Sequence, residues 1–138
     1  MIPTQDLVFD DFGDIKITNG DIATTNNKTE ILRQNCVDRI RSSFEDYKLY
    51  RSYGANLSSN LGKPITEALE VSIQESVIRS LVLDDFLKRD EVKCIVINVS
   101  PHQLFIKTEV STNILGYSFA TITINSIFNT INGVINVN

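Results

Sequence analysis

The chain has no tryptophan, one histidine, two cysteines and three prolines in 138 residues, and each shortage removes a class of function. His102 stands without a second imidazole or a cysteine pair near it in sequence, so it lacks the companions of a metal site. No Gly-x-Ser-x-Gly elbow exists to support a Ser-His-Asp nucleophile. Cys36 and Cys94 are far apart and in no CxxC spacing, and they read as reduced, small apolar side chains. No apolar run approaches the roughly 20 residues of a membrane span, and MIPTQDLVFDD has neither the basic nor the apolar region of a signal peptide. A chain made and used in a cytoplasm, without membrane contact, is expected. Cations are also short, with 13 Lys and Arg against 17 Asp and Glu. With a net charge of −4 and no clustered basic groove to track phosphates, nucleic acid is not an expected partner. The sharpest shortage is regional. From Ser111 to Asn138, 28 residues pass without an Asp, Glu, Lys, Arg or His.

What is present suits one globular domain over residues 1–138. A chain of this length buries roughly 70% of its unfolded surface, and 42% hydrophobic with 22% charged residues is an ordinary globular balance. Leu7-Val8-Phe9, Ile15-Lys16-Ile17 and the Asn19-Gly20 turn signal predict a small N-terminal hairpin. The intervening Asp10-Asp11-Phe12-Gly13-Asp14 lacks the order of a calcium loop and reads as a solvated turn. Asn27 with Glu30 resembles a capping box ahead of a helix over roughly 28–43, whose Leu32, Cys36, Val37, Ile40 and Phe44 share one arc. Leu61-Gly62-Lys63-Pro64 predicts the start of a second helix with an apolar face of Ile65, Ala68, Leu69, Ile73, Val77 and Leu81. Ser72, Ser76 and Ser80 recur inside that face. Gly62-Lys63 is not a phosphate loop, since Leu57 and Pro64 stand where that motif needs Gly and Ser or Thr.

Val92–Val99 and Gln103–Val110 are β-branched runs around Ser100-Pro101-His102, which predicts a hairpin. Tyr117–Ile124 reads as a further strand, continued in similar style to Val137. A charge-free strand of this kind templates aggregation when left open. If it pairs along Gln103–Val110 it is structural and the free edge falls at Val92–Val99; if it is loose, the open edge is larger. The fold class expected is α+β: an N-terminal hairpin and two main helices packed on a small, mostly antiparallel sheet.

Glu45, Asp46, Glu67, Glu70 and Glu91 supply carboxylates for a glycosidase-like pair, but no sequence pattern brings two of them into one pocket. The reading is non-enzymatic, with no catalytic residue, metal or cofactor. The step Asp90-Glu91-Val92-Lys93 is different, because Glu91 and Lys93 as alternate residues of an emerging strand would point to one side and meet a partner.

Gly13-Asp14-Ile15, then Tyr53-Gly54 with Leu57 and Leu61-Gly62, a second helix, and an acidic-x-basic step opening a strand together resemble the baseplate wedge proteins, or sheath initiators, of contractile phage tails and related injection machines such as type VI secretion. The resemblance spans roughly residues 7–125. Members carry Glu-Pro-Arg where this chain has Glu91-Val92-Lys93, and that motif docks on the helical core bundle of the wedge; Lys93 cannot make the bidentate fork of Arg. The resemblance implies a sheath-like interlocking domain whose sheet accepts strands from sheath arms. It implies a structural protein of the virion tail baseplate, assembled in the host cytoplasm in several copies per ring. Its partners would be wedge core-bundle proteins, tail sheath, and the tube or hub. On this reading Asp90, Glu91 and Lys93 form the wedge anchor, and Val92, Cys94, Val96, Leu104, Ile106, Phe119 and Ile122 serve strand addition by sheath. Some members have been labelled lysozymes, which makes a peptidoglycan-hydrolysing tail enzyme the alternative.

Overall fold

In the computed structural model, residues 6–7, 17–18, 21–22, 24–25, 28–49, 51–114 and 118–137 are described, with side chains over 29–49, 51–112 and 121–133. The predicted α+β class is what the chain adopts. Near the N-terminus, β2 (Ile17–Thr18) and β3 (Asp21–Ile22) form the small hairpin expected at Asn19-Gly20, nested inside a pairing of β1 (Asp6–Leu7) with β4 (Thr24–Thr25). The Asp-rich stretch 10–14 and the Asn27 cap lie outside the described residues.

Helix α1 spans Lys28–Arg41 and buries Ile31, Leu32, Cys36 and Ile40. Phe44 lies beyond the helix end and is 39% exposed, its ring met 4.8 Å away by the Arg79 guanidinium. A loop follows, held by backbone bonds from Ala55 N to Arg39 O (2.9 Å) and Asn56 N to Ser42 O (3.1 Å). It ends in a short 3-10 turn, Leu57–Asn60. Gly54 sits at φ +105 so close to the Ser42 carbonyl that a Cβ there would lie 2.3 Å from its oxygen, so only glycine fits.

Helix α2 spans Glu67–Val82 and begins later than Pro64 suggests. Its cap is Thr66, extended at φ −131 and ψ 166, whose Oγ1 accepts from Leu69 N at 3.2 Å. That bond satisfies one of the orphan amides of the first turn. Leu69, Ile73, Val77 and Leu81 are buried as the periodicity predicts, but Ala68 and Ser72 are exposed, and among the three serines only Ser80 is fully buried. The α2 C-terminus is closed by Arg39 of α1. Its Nη1 donates to Ser80 O (3.0 Å) and Leu83 O (3.2 Å), and its guanidinium lies 4.3 Å over the Phe86 ring. A cation there complements the negative end of the helix.

The sheet is a four-stranded antiparallel meander of β5 (Val92–Ser100), β6 (Gln103–Ile114), β7 (Ser118–Asn129) and β8 (Gly133–Val137), in sequence order. The charge-free C-terminal stretch is therefore structural: β7 pairs with β6 along its whole length, from Gln103↔Asn129 to Ile114↔Ser118. One face carries Val92, Cys94, Leu104, Ile106, Val110, Ile122, Ile124 and Phe128 into a single core with the two helices. The other alternates outward. Helix α2 lies over β5, and α1 lies over β7 and β8.

Candidate functional site

The outer edge strand β5 is where the features singled out in sequence converge. It is nine residues long, pairs only with β6 among the described residues, and contains no proline. Its burial alternates from one parity: Val92 and Cys94 are buried, while Ile95, Ile97 and Val99 are 51%, 50% and 56% exposed. Across the sheet Ile97 stands opposite Phe105, which stands opposite Ile127, so an apolar row runs over three strands, half-exposed at Ile97 and partly buried at Phe105 and Ile127. Lys93 shares this outer face opposite Glu109, and Glu109 pairs with Lys107 at 3.2 Å.

The anchor residues are placed less simply than alternate strand positions suggest. Asp90 and Glu91 belong to a short 3-10 turn, Arg89–Glu91, which precedes the strand. The Glu91 carboxylate folds back to accept from Lys88 N at 2.8 Å. It is engaged in holding the turn, while Asp90 and Lys93 are exposed. Nearby, Arg89 bonds both oxygens of Glu75 on α2 at 3.0 Å.

Of the residues assigned to strand addition, Val92, Cys94, Leu104, Ile106 and Ile122 are side chains of the core, and Val96 is partly buried against it. Phe119 lies on β7 opposite Asn113, with its side chain outside the described set. Among the described residues, two of these main-chain stretches have a strand on one side only: β5, and the part of β7 before Ser126 that β8 does not reach. The side chains that frame the β5 edge are Ile95, Ile97 and Val99, which the sequence reading passed over. The signal was available in parity: Lys93 marks the solvent side of β5, so odd-numbered residues face out.

On the helix side of the sheet, at the end where the two hairpin turns meet the loop before α2, lies a cleft of 440 Å³. Lys63, Pro64 and Ile65 form one wall, Asn98, Pro101 and His102 another, and Thr130 and Ile131 close it. Its frame is backbone: Gly62 N donates to Thr130 O at 2.7 Å, and Thr130 N donates to His102 O at 2.8 Å. Thr130 Oγ1 lies 3.5 Å from His102 Nδ1. None of the five candidate carboxylates lines this cleft. Among the described residues no group of three His, Cys, Asp or Glu is placed to hold a metal ion, and no helix is long and apolar enough to cross a membrane.

Cys36 and Cys94 are both free and buried. Burial pushes the Cys36 thiol up to about 12 and the Cys94 thiol up to about 11. Two tyrosine hydroxyls converge on Asp38, from Tyr53 at 2.8 Å and Tyr47 at 3.2 Å. Burial first, then the adjacent carboxylate, raises both phenols.

The fold and its edge define an α+β domain with two helices on one face of an antiparallel sheet and an outer strand that, among the described residues, is paired on one side only. Compared with family models, curated proteins and solved structures, the chain finds no match.

Proposed function

We propose that this chain is a structural component of a contractile-tail or related injection-machine baseplate, with no catalytic role, which receives an extended strand from the sheath along β5 and so starts sheath assembly. The observation that carries the reading is the open β5 edge, nine residues long and framed by three half-exposed β-branched side chains. An edge of this kind offers a row of main-chain donors and acceptors to another chain. The position of α2 favours an extended segment over a second folded copy. Because α2 lies over β5 itself, two copies joined edge to edge in antiparallel fashion would bring their α2 helices within about one strand spacing, ~5 Å, where packed helices need about 8–10 Å. A lone strand meets no such obstacle.

The wedge side is assigned to the corner where the 3-10 turn enters β5, with Asp90 and Lys93 as its exposed charges. The test is reconstitution with tail sheath and baseplate wedge proteins, read by electron microscopy. I95K/I97K should leave the far-UV circular dichroism unchanged and abolish the first sheath ring. K93E should weaken wedge binding, and is the cleaner anchor variant because changing Glu91 also loosens the turn. Normal sheath rings on the doubly substituted protein would refute strand addition at this edge.

A further inference from the structure

The cleft beside His102 is the end of the same edge, since Asn98 belongs both to β5 and to the cleft wall. Resting on the strand-addition reading, we propose that the cleft selects the incoming strand by an acidic side chain at its N-terminal end.

The chemistry of the cleft has one sign. Lys63 brings an ammonium group whose hydrogen-bond partner is the neutral Asn60 Oδ1 at 3.4 Å. Asn98, His102 and Thr130 add hydrogen-bonding groups, and among the described residues no carboxylate lines the space. When Thr130 Oγ1 donates to His102 Nδ1, the ring proton resides on Nε2, which is then a donor. Pro64 and Ile131 supply apolar walls. The cleft is also pre-formed, because the Gly62–Thr130 and Thr130–His102 backbone bonds lock its three loops together. Binding there costs little ordering.

Register supplies the position of the acid. Asn98 pairs with Leu104, which pairs with Phe128, so it has the inward parity of the core row. A strand added antiparallel, as every neighbour in this sheet is, runs its N-terminal end past Asn98. Its residue opposite Asn98 then points to the helix side, toward the cleft. Successive residues alternate outward beside Ile97 and Ile95 and inward beside Val96. The preferred partner sequence is an acidic residue followed by a β-branched, apolar run.

The experiment titrates the full-length chain with acetylated peptides of about eight residues, a length typical of a strand, measured by fluorescence anisotropy in low salt. One peptide opens with Glu followed by alternating Val and Thr, a second has Gln in place of Glu, and a third carries the Glu at its C-terminal end. The first should bind about threefold to fivefold more tightly than the other two, the size of an exposed charge-assisted contact. K63Q should erase that preference while retaining the weaker binding of the Gln peptide. Equal binding of all three, or an equal gain from Glu at either end, would overturn the acidic anchor while leaving strand addition standing. Binding by none of them would defeat both, and I97D as a blocked-edge control identifies binding that does not use β5.

Discussion

Single residues here do work that neither their type nor their neighbours advertise. Gly54 is the clearest: G54A would combine φ +105 with a Cβ 2.3 Å from the Ser42 oxygen, and should cost about 2–4 kcal/mol in urea denaturation, more than a strained backbone alone. T66A removes the oxygen that Leu69 N donates to and should cost about 1 kcal/mol by the same measurement. The buried thiols predict a pH dependence. Folded Cys36 and Cys94 keep their protons up to about 12 and about 11, whereas unfolded thiols release theirs near the ordinary value of about 8.5. The native state therefore binds more protons in alkaline solution, so this contribution is complete below the ordinary thiol range and is lost as pH rises toward those values. Urea midpoints should fall from pH 8 to pH 10, and C36A/C94A should show a shallower fall.

At the scale of elements, periodicity carried most of the prediction. The two helices, the hairpin and the C-terminal strand were legible because each buries one face of a regular pattern, as Leu32, Cys36 and Ile40 or Leu69, Ile73 and Val77 show. Boundaries were less legible where a cap competes with a proline: Pro64 resembles a first-turn residue, yet Thr66 has the hydroxyl and takes the cap. The solvent-facing side of β5 was obscured by hydrophobicity on both its faces, since Ile95 and Ile97 are as β-prone as Val92 and Val96. The turn at Arg89–Glu91 was hidden for another reason, because a carboxylate reaching back to Lys88 N is a three-residue contact that looks like surface charge in sequence. Lysine is an effective edge blocker, and I97K alone should lower light scattering of concentrated protein without moving its melting temperature by more than a few degrees.

For the whole molecule, the charge-free C-terminal fifth is part of the core rather than an appendage. Ile122, Ile124 and Phe128 are 4%, 0% and 0% exposed. F128A should cost about 3–5 kcal/mol, and a chain ending at residue 114 should be insoluble, as judged by its absence from the cleared lysate. The layout also has a direction in time. Both helices lie within residues 28–82 and the whole main sheet within 92–137, so during synthesis the helices leave the ribosome before any strand that covers them exists. At about 5–20 residues per second, Ile31, Leu32, Ile73 and Val77 wait several seconds in water for their cover. The nascent chain is thus a natural client for chaperones that bind apolar helical segments, and its yield should depend on them more than its final stability would suggest.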